Sequence, residues 1–366
     1  MNKFAPNRFA FDRSRRGLRA TAGIALVFAL AACGGGDSGS VMPPPITTSP
    51  PPPTPSPTPL PPSPPFISNA QRVSAATTTA QNTSNACASV QPFYWEVGDK
   101  SARLASGSVQ TGTGAPVYTS ASIMSIASAS KWLYGAYVVQ RRQGLLTADD
   151  IKFLTFRSGY TNFSICLSDQ TVDDCVAYQR NGVYSNATDG KFSYGGGHME
   201  KHASLNGLGA LNNARLAAEI QSQLGTDISL SYSQPQLAGG VFTSADAYAV
   251  FLRKILSGSL LMNAALGTQA VCTNPTTCPP GEAINTPVPT TESYRYSIGH
   301  WVEDDPVSGD GAFSSAGAFG FYPWIDVSKT WYGIVARRDV AETGNGFQSA
   351  RCGQLIRKAW VNGVPQ

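Results

Sequence analysis

The stretch 124-MSIASASKWLYGAYVVQRRQG-144 decides how this chain is read. Apolar, strand-like MSIAS runs directly into SKWLYGAYVVQRR, which reads as a helix. At the junction Ser128 and Lys131 stand three residues apart, so on a helix both side chains share one face. The serine falls in the first turn, where free backbone N–H groups and the helix dipole favour developing negative charge. The lysine lies one turn in, beside Trp132 and Leu133. Burial there lowers its proton affinity and makes it a base for the hydroxyl. The competing reading is a helix start whose lysine snorkels to solvent. Of the nine lysines in the sequence, only Lys131 has a serine three residues before it. Taken alone, that spacing is a weak signal.

Upstream, residues 1–32 read as an export leader and are set aside from fold reasoning. MNKFAPNRFAFDRSRRGLRA carries six basic residues and one acid, and TAGIALVFALAA is a short apolar core. It stops at LAAC, which resembles the lipobox of bacterial lipoproteins. That resemblance implies cleavage before Cys33 and lipidation of its sulfur. An ordinary secretory peptide with an incidental cysteine, or an uncleaved anchor, is the alternative. Residues 33–66 form a Gly/Ser-rich and then Pro-rich linker. About twenty polyproline residues at ~3.1 Å each reach roughly 60 Å. Residues 67–366 form the folded domain.

The leader also dominates the charge. The chain has 27 basic and 23 acidic residues. Without the leader 21 and 22 remain, so the mature protein is near neutral and offers nothing for a nucleic-acid partner. Of seven cysteines, six remain beyond Cys33. An even number in an exported chain points to disulfides. Local pairs Cys166–Cys175 and Cys272–Cys278 leave Cys87 with Cys352, joining the start of the domain to its end. Fifteen connectivities are open. Zinc is the alternative, although no pair has C-x-x-C spacing.

The pattern along 67–366 is mixed. PFYWEVGD and ARLASGSVQ read as strands, as do YRYSIGHWVED, AFSSAGAFGFYPWI and TWYGIVARRD. TADDIKFLTF, NARLAAEIQSQLG, TSADAYAVFLRKILSG and GQLIRKAWVNG read as helices. Thr147 or the following aspartates cap the first, Gly225 ends the second, and Thr243 or Ser244 caps the third. This is an α/β (α+β) chain. An antiparallel sheet is completed by both ends and flanked by helices, with a mainly helical second lobe.

IASASKWLYGAYVV resembles the nucleophile helix of the serine β-lactamase and penicillin-binding-protein superfamily, nearest its class C-like and esterase-like branch. Other segments follow in the family's order. LLTADDIKFLTFRSGYTNF is similar to the region after that helix. FSYGGGH resembles the tyrosine motif Y-x-N. LAGGVFTSADAYAVFLRKILSG is similar to the Gly-Gly turn and its helix, and SSAGAFGFYPWID to the K-T-G strand. The match spans about residues 93–361. It implies that Ser128 is the nucleophile of an acyl-enzyme, that Lys131 takes or relays its proton, and that Tyr194 shares the base work and protonates the leaving group. The backbone N–H groups of Ser128 and Ala318 would form the oxyanion hole. Gly196, His198, Ser315 and Gly317 would border the substrate.

Two departures matter. Gly196 stands where the family has asparagine, and Ser315 where it has lysine. The site should therefore favour esters, or small amides without a carboxylate. Arg157, Lys201 or Arg337 could restore a charge. The expectation is an envelope serine hydrolase, outer-membrane anchored. It would act on a small-molecule or peptide-like ester or amide, with no metal or organic cofactor. A β-lactamase or D-alanyl-D-alanine carboxypeptidase, and a non-catalytic envelope-binding lipoprotein, are the alternatives. HMEKH sets His198 and His202 four apart, but Glu200 is one place late for the zinc-protease pattern. His198 is read as one turn beyond Tyr194 on a shared helix, or as structural. His300 is read as a strand-face residue beside the cleft or core. The aromatics of GFYPWID and GHWVE pack the core or line a cleft.

Overall fold

The computed structural model describes residues 67–340 and 345–366. The leader, Cys33 and the linker through residue 66 lie outside them. Among the described residues no helix is long and apolar enough to cross a membrane.

In chain order the helices are α1 (Asn69–Gln81), α2 (Ser130–Arg141), α3 (Ala148–Leu154), α4 (Val172–Ala177), α5 (Gly197–Ala203), α6 (Asn213–Leu224), α7 (Ala245–Leu256), α8 (Met262–Ala265) and α9 (Asn345–Asn362). The strands are β1 (Phe93–Gly98), β2 (Arg103–Val109), β3 (Met124–Ser125), β4 (Phe192–Ser193), β5 (Leu230–Tyr232), β6 (Val241–Thr243), β7 (Val271–Cys272), β8 (Ala283–Asn285), β9 (Arg295–Tyr296), β10 (Trp301–Glu303), β11 (Ala312–Ser314), β12 (Tyr322–Ile325) and β13 (Tyr332–Ala336). The main sheet is antiparallel, with strand order β2-β1-β13-β12-β11-β10-β9-β7. The first strands of the domain thus pair with its last, as the sequence pattern suggests.

β1 is buried on both faces, and its alternation explains the layering. Phe93, Trp95 and Val97 join Trp324, Val335, Ile356 and Trp360 in a core under α1 and α9. Tyr94 points the other way, into a larger core built on α2 with Tyr248, Phe251 and Ile334. Cys87 and Cys352 lie at disulfide distance across the α1/α9 side, and Cys166–Cys175 and Cys272–Cys278 are likewise paired.

Local chemistry accounts for the helix ends. Thr147 caps α3 reciprocally with Asp150, and Ser244 caps α7 through the Ala247 N–H. Gly225 ends α6 with φ +118°. Two expectations change. YRYSIGHWVED is not one strand but a tight hairpin, β9 and β10, turning at Ser297–His300. Gly299 makes that turn with φ +74°, and its Cα sits against the Lys131 carbonyl, where a side chain would collide. AFSSAGAFGFYPWI likewise divides into β11 and β12. His300 therefore lies in a turn, fully buried and stacked on Trp132 with ring centroids 5.4 Å apart.

Candidate active site

α2 is unusual in burying every residue from Ser130 to Val139. It runs through the core rather than lying on it. A short 3-10 turn, Ala127–Ala129, delivers the chain into α2, with Ala127 held at φ +43°. Such backbone is costly for a non-glycine residue and persists only where its surroundings enforce it. β6 and α7 provide that enforcement. The Ile126 N–H donates to the Val241 carbonyl (3.1 Å), the Val241 N–H donates to Ser130 Oγ (3.2 Å), and Tyr248 OH donates to the Ala129 carbonyl (2.9 Å). Ser128 is left partly exposed at the apex.

Lys131 Nζ donates to Ser128 Oγ at 3.0 Å and to the Ala238 carbonyl at 2.8 Å. Only 4% of its surface is exposed, so it does not snorkel. Burial drives its pKa down to about 7, while Glu200 pulls the other way. The same nitrogen lies 5.0 Å from the centre of the Tyr194 ring.

Tyr194 follows β4, which pairs in parallel with β8; its N–H donates to the Asn285 carbonyl (3.0 Å). Its ring stacks on Trp301 with centroids 5.3 Å apart. Burial pushes its pKa up to about 12, against opposing hydrogen bonds with Ser128 and Trp301. The phenol therefore keeps its proton at neutral pH.

Ser128 and Tyr194 open onto a pocket of about 180 Å³. Ala318 lines it, as do Trp301, Val288, Phe347 and Ala350. Among the described residues Glu303 is the one charged lining residue, and it is saturated. Ser314 Oγ (2.5 Å) and Tyr322 OH (2.6 Å) donate to one oxygen; Gln354 (3.0 Å) and Arg357 (2.7 Å) donate to the other. Among the described residues no lysine, arginine or histidine lines the pocket.

Other expected site residues stand differently. Tyr194 and His198 do not share a helix, because α5 begins only at Gly197. His198 is fully buried and stacks on Phe156. Burial holds its pKa down at about 4, so the ring is neutral. Its Nε2–H donates to the Ser193 carbonyl (2.9 Å), and Nδ1 accepts from Ser158 Oγ (2.7 Å). It holds the strand that presents Tyr194 and does not line the pocket. His202 bridges Asp150 (2.9 Å) and Tyr134 (2.7 Å). Gly196 packs under Phe163, away from the pocket lining. Ser315 spends its hydroxyl on the Ser128 carbonyl at 3.1 Å. Arg157, Lys201 and Arg337 are absent from the lining.

Gly317 has a specific reason to be glycine. A Cβ there would overlap the Ile126 carbonyl, one peptide before the nucleophile turn. Gly317→Ala should force the pocket wall off that turn, losing about 1–3 kcal/mol in urea denaturation and slowing turnover together. Full stability with full activity would contradict this.

No protein-family model and no curated protein sequence matches this chain. Solved structures do. A candidate β-lactamase from Bacteroides dorei DSM 17855 superposes with TM-score 0.55 at 18% identity, covering 75% of this chain and 94% of that one. An octameric penicillin-binding protein homologue from Pyrococcus abyssi gives 0.53 at 12%, covering 76% of each. A simvastatin synthase (LovD6 mutant) from Aspergillus terreus gives 0.52 at 14%, covering 80% and 96%. The architecture built up above is theirs: the chain has the fold of the β-lactamase and penicillin-binding-protein superfamily.

Proposed function

We propose that this chain is a serine hydrolase that cleaves an uncharged ester, or a small amide, through an acyl-enzyme on Ser128. The observation carrying the reading is the 3.0 Å contact between Ser128 Oγ and a buried, weakly basic Lys131 at the mouth of an apolar pocket. Ser128 Oγ adds to the substrate carbonyl as its proton passes to Lys131. The backbone N–H groups of Ser128 and Ala318 receive the oxyanion. Tyr194, still protonated, gives its proton to the departing oxygen or nitrogen as that bond breaks, and the proton held by Lys131 restores the phenol; water then adds to the acyl carbonyl, freeing the acid and returning a proton to Ser128 Oγ. The opposed shifts divide the labour: Lys131 changes charge near neutral pH and Tyr194 does not.

The lining argues against a carboxylated substrate. Among the described residues the only charged lining group is the Glu303 carboxylate, and the guanidinium beside it, Arg357, is already paired with it. The leader, Cys33 and the three cysteine pairs support an exported, lipid-anchored protein of the bacterial cell envelope. A fluorophosphonate probe should label residues 67–366, and Ser128→Ala should abolish that label. Persistent labelling of the alanine variant would falsify the assignment. Neutral short-chain esters should turn over far faster than hemisuccinate esters; equal rates would refute the substrate preference.

A further inference from the structure

Glu200, on α5, is a carboxylate that the scheme above does not use. It is 1% exposed. Its oxygens accept the N–H of Leu237 (2.8 Å) and of Ala238 (3.0 Å). The Ala238 carbonyl then accepts Lys131 Nζ (2.8 Å), and that nitrogen reaches Ser128 Oγ (3.0 Å). Polar contacts thus run from α5 through one turn of backbone to the nucleophile. A carboxylate taken this far from water needs a compensating charge. It lies within electrostatic range of Lys131 and Tyr134 from α2 and of Tyr232 from β5. On α5 itself, His198 is bonded to Ser158 and Ser193, and His202 to Asp150 and Tyr134. Lys131 also faces Tyr194 and His198.

We propose that Glu200 is a positioning residue for acyl transfer: it fixes the Leu237–Ala238 turn against Lys131 and supplies the counter-charge for the ammonium formed when Lys131 takes the serine proton. This rests on the Ser128 acyl-enzyme reading. Burial pushes the Glu200 carboxyl upward, the two N–H donors and Lys131 oppose that, and Glu200 in return raises the amine. Removing the carboxylate should leave Lys131 easier to deprotonate and a weaker base.

The test is the rate of fluorophosphonate labelling of Ser128 against pH. In that step the serine O–P bond forms, P–F breaks, fluoride leaves and the hydroxyl proton goes to Lys131. Wild type should show an acid limb near the Lys131 value. Glu200→Gln should move that limb down by about one pH unit and lower the plateau roughly tenfold or more. Glu200→Asp keeps the charge but withdraws it, so its limb should lie between the two while the plateau stays low. Thermal melting identifies which variants fold. A limb unmoved in a folded variant overturns the proposal while Ser128 labelling stands. If neither variant folds, Glu200 is a stability element and the proposal falls. If wild type does not label at all, the acyl-enzyme reading fails and takes this one with it.

Discussion

In Lys131→Met, labelling of Ser128 is expected to slow by about a thousandfold, the scale of a lost general base. Methionine fills a similar volume but cannot accept the proton, so the loss reads chemistry more than packing. Lys131→Arg should be no better, since a guanidinium does not give up its proton in this range. That second variant separates a base from a mere positive charge. The pH profile follows with a fixed sign. The amine acts when neutral, and burial has lowered its pKa to about 7. Activity should therefore climb as pH rises toward 7 and level off above it. Tyr194, raised to about 12, should add no limb of its own below pH 9. A methionine variant within tenfold of wild type would remove Lys131 from the mechanism.

Arg357→Met should be the most damaging of the single changes remote from the nucleophile, at about 3–5 kcal/mol of stability. Arg357 is 2% exposed. It donates to Glu303 (2.7 Å), to both Asp310 oxygens (2.7 and 2.8 Å) and to Tyr322 OH (2.9 Å). Its guanidinium lies 5.3 Å from the centre of the Trp324 ring. Without it, Glu303 becomes a buried carboxylate facing the pocket with no cation beside it. Urea denaturation at pH 7 measures the loss. Adding Glu303→Gln to Arg357→Met should recover part of the deficit, because it removes the unpaired charge. A double variant that recovers nothing would show that lost packing, not charge, is responsible.

Short-range features were the legible ones. The three-residue spacing of Ser128 and Lys131 survives as a 3.0 Å contact because both lie within one turn of chain. The helix caps at Thr147 and Ser244 were readable for the same reason. Tyr194 came only through the ordered resemblance; nothing in FSYGGGH by itself says that β4 and β8 will carry it to Ser128. In the sequence Glu200 stands out only as a neighbour of two histidines. Its partners lie 37 and 38 residues on, across a turn that no periodicity announces. α1 is hard to read from the sequence because the β-branched run Thr77–Thr79 offsets the helix preference of its alanines. Ser68 and Gln71 nonetheless form a reciprocal cap, the one local sign of it. The β9–β10 hairpin was hidden by reading through Gly299, the residue that turns it.

The Cys87–Cys352 pair spans 265 residues of sequence. With that link closed, the domain is covalently a ring, open only at two short tails. A protease that nicks a surface loop, such as the exposed turn at Val307, would yield pieces that part only after reduction. By the same logic the ring could be reopened at another loop, giving a rearranged chain order on an unchanged β1–β13 seam.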